Sequence, residues 1–139
     1  FLVGIAPDIF SFGIFFVSIW LGFVCGIDWS AGPPDQSLIP QYVHNIYNIT
    51  HSLIIFAVVF ASVWLARQRP FLEMTAWGLH ILMDIPTHSA NFFPTPFLWP
   101  LSSFHINGIP WSHPIIFVPN VVLLGMLYLW FFLRGRSRR

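Results

Sequence analysis

The stretch LHILMDIPTHS, residues 79–89, places three ionisable side chains in one of the most apolar parts of the chain. His80, Asp84 and His88 follow one another at intervals of four residues. At 3.6 residues per turn, side chains four apart lie one above the other on a helix. Because ionisable groups are costly in a membrane helix, the pattern predicts that this helix face carries a function.

The composition around this stretch is typical of an integral membrane protein. Of the 139 residues, 56% are hydrophobic and only 8% are charged, whereas a soluble domain is about 25% charged. The length predicts a single membrane domain over residues 1–139. Because the chain begins with the apolar run FLVGIA rather than with Met, we expect that an N-terminal segment is missing.

Four apolar stretches predict the fold class. We expect an all-α integral membrane bundle with about four hydrophobic helices, at residues 9–27, 51–66, 71–85 and 115–133. Residues 86–114 are rich in Pro, Trp and Phe, which indicates an external loop at the membrane interface. Pro86 is expected to kink or end the third helix, because proline lacks the backbone N–H.

The basic residues predict the topology. All six are arginines, and they fall into two groups, Arg67 with Arg69 and the C-terminal Arg134, Arg136, Arg138 and Arg139. The positive-inside rule places both groups on the cytoplasmic side of a multi-pass protein, with loops 28–50 and 86–114 external. The lipid bilayer is then the expected partner, and no nucleic-acid-binding patch is predicted.

The spacing of His80 and Asp84 favours a metal site. An imidazole nitrogen and a carboxylate oxygen on one helix face are good ligands for a divalent cation, and His51 starts the preceding apolar stretch. Such a shell suits zinc, with manganese and iron as alternatives, and it suits hydrolysis by activated water. The other interpretation is a polar network that holds the helices together. Glu73, on the same face of the third predicted helix as His80 and Asp84, is expected to pair with Arg67 or Arg69.

Two further segments offer polar groups at helix starts. Asp8, in APDIF at 6–10, is either the N-cap of a helix that begins at Ile9 or a carboxylate ligand. Thr50 is expected to cap the second helix while His51 points into the bundle. His105 and His113, in the aromatic segment, are interpreted as loop residues.

The ordered set of short motifs resembles a known family. Pro7-Asp8, THSL at 50–53, HILMDIPTHS at 80–89 and LWPLS at 98–102 are similar to the motifs of small bacterial membrane-bound metal-dependent hydrolases. These are also described as LexA-binding, inner-membrane-associated hydrolases. The resemblance spans roughly residues 4–102 and implies a helical fold in the bacterial cytoplasmic membrane. It also implies metal ligands at Asp8, His51, His80 and Asp84.

The chain departs from the family pattern in two places. Family members often carry a second Asp where this chain has Phe10, and a His-Arg-Gly where it has YNI at 47–49. His44, Asn48 and His88 are the candidates to replace the missing groups, and an altered site is the alternative. For Asp8 to join the other ligands externally, stretch 9–27 must be interfacial or re-entrant. A plain four-span arrangement instead puts Asp8 about a bilayer thickness away, and we favour the first arrangement.

Three functions compete. The first is a metal-dependent hydrolase at the outer interface that acts on a lipid-linked ester or phosphoester, with His88 as general base or fifth ligand and segment 92–111 as a lid. The second is a non-catalytic accessory subunit of a larger membrane protein complex. The third, binding of a haem or chlorophyll by histidine, is weaker because a pigment ligand needs no neighbouring Asp.

Overall fold

The computed structural model describes residues 2–28, 30 and 32–136, and within them it is helical with no strand. The predicted all-α class is therefore confirmed. The helices are α1 (Leu2–Asp8), a π-helical turn (Ile9–Gly13), α2 (Ile14–Trp20), α3 (Gln41–Thr50), α4 (Leu53–Arg67), α5 (Thr75–Thr87) and α6 (Pro114–Arg136), with 3-10 turns at Gln36–Leu38 and Leu72–Met74.

Two of the described helical segments are long and apolar enough to cross a membrane, Leu2–Trp20 and Pro114–Arg134. Helices α3 and α4 form a third candidate if the pair, bent by 58° at its break, is one span. The third predicted span corresponds to α5, which has 13 residues where a crossing helix needs about 20. Membrane association is therefore supported, and four crossing helices stay a prediction.

The first helix differs from its predicted bounds of 9–27. It begins at Leu2 and ends at Trp20, and Gly22 just beyond it has a φ of 77°, which glycine adopts without strain. The middle of the segment is π-helical, where the Ser11 hydroxyl donates to the Pro7 carbonyl at 2.9 Å. Pro7, Ser11 and Phe15 are buried, so one stripe of this helix faces the interior.

The second predicted helix, at 51–66, corresponds to α4 (Leu53–Arg67), and a further helix precedes it. Residues 41–50, expected in an external loop, form α3, and α4 begins at Leu53. The N-cap of α4 is Ser52, whose hydroxyl accepts from the Ile55 N–H at 3.2 Å; the prediction that Thr50 caps it is wrong. The backbone between α3 and α4 is held by the segment that follows α5. The Leu53 N–H donates to the Phe97 carbonyl at 3.0 Å, and the Ser52 hydroxyl donates to the Trp99 carbonyl.

Helix α5 ends at Thr87, one residue after Pro86, as predicted. The segment that follows it returns to the helix end at Gly108, whose N–H donates to the His88 carbonyl at 2.8 Å. The backbones are so close there that a Cβ on Gly108 would lie 2.2 Å from the Pro86 carbonyl oxygen. Only glycine fits this contact.

The chain divides after Gly108 into two compact units, and the single membrane domain over residues 1–139 stays a prediction. The core of the first unit contains Phe15, Ile39, Val43, Tyr47 and Phe93. The second unit contains α6, which confirms the predicted helix at 115–133. None of the 18-residue apolar window of α6 is buried, which suits contact with lipid. Ser137, Arg138 and Arg139 of the predicted cytoplasmic tail lie outside the described residues.

The ion pair expected for Glu73 is not formed within the described part of the chain. Glu73 is exposed, in the 3-10 turn before α5. The guanidinium of Arg67 instead lies 4.7 Å from the centre of the Phe71 ring. A cation near an aromatic face is stabilised by the ring's negative π-system.

Candidate metal centre

Three separate parts of the first unit bring ionisable side chains together. Asp8 is the last residue of α1, His51 lies at the break between α3 and α4, and His80 and Asp84 occupy successive turns of α5. Helices α1 and α5 run in the same direction: a Cβ on Gly4 would lie 3.5 Å from that of Ala76, and four residues further along both helices Asp8 meets His80. The small residues therefore bring Asp8 alongside α5.

The ligand atoms face one another at short distances. Nε2 of His51 lies 3.3 Å from Nε2 of His80. Carboxylate oxygens of Asp84 lie 3.4 Å from the first nitrogen and 3.1 Å from the second, and those of Asp8 lie 3.4 and 3.7 Å from them. One ligand atom from each of Asp8, His51 and His80 lies within 4.8 Å of the others. This group could hold a metal ion.

The distances are compatible with a bound cation. Four ligands about 2.1 Å from a tetrahedral ion lie about 3.4 Å from one another, and the contacts above range from 3.1 to 3.7 Å. Oδ2 of Asp84 is buried and accepts no hydrogen bond with correct geometry from the described residues, although two imidazole nitrogens are close to it. A buried carboxylate oxygen without a donor is costly, and a cation would satisfy it.

The cluster is buried on one side and open on the other. The His51 side chain is fully buried, and those of His80 and Asp84 are 17% and 14% exposed. The Asp8 side chain is 53% exposed. The open side of the cluster is therefore that of Asp8, and His51 forms the closed end.

The surroundings of His80, which lies in α5 outside the candidate spans, raise its pKa. Burial lowers the pKa of His80. The hydrogen bond and charge of the adjoining Asp84 carboxylate and the charge of Asp8 raise it by a larger amount, so the pKa lies above its usual value. A metal ion competes with protons for an imidazole nitrogen, so metal binding here would weaken as the pH falls.

His88 lies beside the cluster rather than within it. Its Nδ1 is 3.2 Å from the Asp84 carbonyl oxygen and 3.7 Å from Oδ1 of the same residue. The side chain is 19% exposed. His88 therefore neighbours Asp84, while its role as base or ligand stays a prediction.

Asp8 departs from both arrangements considered for it. Its backbone is helical, with φ −71° and ψ −40°, and its side chain caps nothing, so the N-cap alternative is wrong. It lies inside the Leu2–Trp20 segment, at neither end. Both arrangements assumed that a helix begins at Ile9; because it begins earlier, Asp8 reaches His51 and His80 from the helix middle.

Three residues around His51 were not predicted as part of the site. Tyr47 stacks on the His51 ring with 3.9 Å between ring centres. The Thr50 hydroxyl oxygen lies 3.0 Å from His51 Nδ1. Trp77 donates from Nε1 to the Thr50 carbonyl at 2.7 Å. The sequence signal was the position of Tyr47 one helical turn before His51, and of Trp77 one turn before His80.

The other candidate histidines lie elsewhere. His44 stacks on Phe93, with 4.7 Å between ring centres, and its Nε2 is 3.2 Å from the Gln36 carbonyl. His105 and His113 are exposed, as predicted for loop residues. Replacement of a missing ligand by His44 is therefore not supported by its contacts.

No family model, curated protein or solved structure matches this chain. The likeness to the membrane-bound hydrolases therefore rests on the short motifs and their order. The geometry of Asp8, His51 and His80 stands independently of that likeness.

Proposed function

We propose that this chain is a metal-dependent hydrolase of the bacterial cytoplasmic membrane, acting at its outer interface on a lipid-linked ester or phosphoester. The proposed ligands are Asp8, His51, His80 and Asp84, and the proposed metal is zinc, with manganese or iron as alternatives. The observation that carries the proposal is the meeting of two imidazoles and two carboxylates at 3.1–3.7 Å. His88 is proposed as general base or fifth ligand.

The charge balance of the cluster supports a divalent cation. Two carboxylates and two neutral imidazoles carry two negative charges, which a divalent ion cancels, and a neutral site is the least costly one in an apolar setting. Such an ion would polarise an ester or phosphoester and activate water. The chain's own residues would do the rest: His51 closes the site, the exposed side of Asp8 admits the substrate, and His88 accepts a proton.

Asp84→Asn is expected to lower zinc affinity by about tenfold or more, because a neutral amide oxygen is a poorer ligand than a carboxylate. The measurement is zinc content and competitive chelator titration of protein purified in lipid nanodiscs. Glu73→Gln removes an exposed carboxylate that touches no group of the cluster and serves as the matched control. Equal affinity of the two variants would remove Asp84 from the site.

Hydrolysis is tested with two long-chain fluorogenic probes, a carboxylic ester and a phosphodiester. The proposal expects the zinc-loaded protein to cleave at least one of them, and Asp84→Asn to cleave it more slowly. Zinc bound without turnover of either probe would favour the accessory-subunit alternative, which the aromatic Phe10 in place of a second Asp also favours. The metal would then be structural, and the partner would be a larger membrane complex.

The proposed orientation places Arg67, Arg69 and the C-terminal arginines in the cytoplasm. In a variant without Cys25, an impermeant thiol reagent added to intact cells should label Ser37→Cys and Ser103→Cys but not Ser137→Cys. Permeabilised cells, in which all three sites should react, provide the control. Labelling of Ser137→Cys alone in intact cells would reverse the orientation.

A further inference from the structure

The contacts of His51 on the side away from the cluster determine which of its nitrogens carries hydrogen. Nδ1 lies 3.0 Å from the Thr50 hydroxyl oxygen and 3.2 Å from the Tyr47 carbonyl oxygen. A carbonyl oxygen can only accept a hydrogen bond. The Thr50 hydroxyl uses its own hydrogen on the Ile46 carbonyl, 2.9 Å away, and therefore also offers a lone pair to Nδ1.

From these contacts we infer that Thr50 is a positioning residue, which together with the Tyr47 carbonyl holds a hydrogen on His51 Nδ1 and leaves Nε2 as the nitrogen for the cation. The inference rests on the proposed metal site and adds to it a residue that contacts no other member of the cluster. The ring orientation is fixed as well, because Tyr47 stacks on it at an interplanar angle of 19°.

A second contact of Thr50 connects the end of α3 to α5. The Trp77 indole, on α5, donates to the Thr50 carbonyl at 2.7 Å. His80 lies one turn further along the same helix. Thr50 thus orients His51 with its side chain and holds α5, which carries His80 and Asp84, with its backbone. Partners of this kind around a metal-binding histidine change affinity by about ten- to hundredfold when lost.

The test separates the hydroxyl from the shape of the side chain. Thr50→Val keeps the branched shape and removes the hydroxyl, whereas Thr50→Ser keeps the hydroxyl. We expect zinc affinity to fall by about tenfold or more in the first variant and to stay within about threefold of wild type in the second. Thr75→Val, which removes an exposed hydroxyl bonded only to the Leu72 carbonyl, should leave affinity unchanged.

A spectroscopic readout tests the tautomer directly. In protein labelled with ¹⁵N-histidine, His51 should show a protonated Nδ1 both with and without zinc, and His51→Gln assigns its signals. A wild-type His51 with bare Nδ1, or full zinc affinity in Thr50→Val, would overturn the inference. If wild type binds no zinc, the proposed metal site fails, while the Nδ1 signal of the metal-free protein still decides the tautomer.

Discussion

His51→Gln is expected to abolish stoichiometric zinc binding, with affinity falling on the order of a thousandfold, more than the loss of an outer contact causes. His51 is the only fully buried member of the cluster, and its Nε2 lies within 3.4 Å of His80, Asp8 and Asp84. Glutamine keeps a similar length but presents a neutral amide, a poor ligand for zinc. The measurement is zinc content together with competitive titration in nanodiscs.

His105→Gln is the matched control for this variant. It makes the same chemical change at an exposed loop histidine, whose Nδ1 contacts only the nearby Ser103 carbonyl. Its zinc affinity should equal that of wild type. Comparable affinity in the two variants would show that the cluster is a polar network between helices and would remove the basis of the proposed hydrolase.

Gly108→Ala is expected to destabilise the first unit by about 3 kcal/mol, the upper range for overpacking a tight site. The added Cβ would lie 2.2 Å from the Pro86 carbonyl oxygen, 2.4 Å from its carbon and 2.8 Å from the His88 carbonyl oxygen. All three are backbone atoms, so no side-chain rotation relieves the clash. The 2.8 Å hydrogen bond from Gly108 to His88 must lengthen or break.

Thermal unfolding in detergent measures this effect, which should lower the midpoint by roughly 10 °C for a chain of this size. Gly125→Ala provides the control, since a Cβ there meets nothing within 4 Å and alanine favours the helix. Equal midpoints for the two variants would mean that the segment ending at Gly108 can move away from α5 at little cost.

The helical class and one end of α5 were predictable because they depend on local properties. Apolar composition favours helices in a membrane, and Pro86 cannot continue a helix interior. The bounds of the first helix were not predictable, because residues 2–27 are mostly apolar and carry no charged residue except Asp8. The break at His51 and Ser52 was also hidden, since it depends on carbonyl groups of Phe97 and Trp99, more than 40 residues away.

The candidate site was predicted in its members but not in its surroundings. His80 and Asp84 share a helix face through their spacing alone, and His51 starts the preceding apolar stretch. Asp8 had two interpretations, as an N-cap or a ligand, and the motif resemblance favoured the ligand. The depth of Asp8 along its helix was missed because a regular helix starting at Ile9 was assumed. The spacing places Trp77 one turn before His80, but the hydrogen bond from Trp77 to Thr50 joins different helices, so the local pattern did not reveal it.

The π-helical turn at Ile9–Gly13 gives the first helix one extra residue near its middle. A π turn holds one residue more than an α-helical turn over the same path. A single-residue deletion within this turn can therefore be absorbed as a regular α-helical turn, with α1 and α2 keeping their orientation. The same deletion within α1, between Gly4 and Asp8, has no extra residue to draw on and rotates Gly4 by about 100° relative to Asp8. Either Asp8 would then leave the cluster or Gly4 would leave its contact with Ala76.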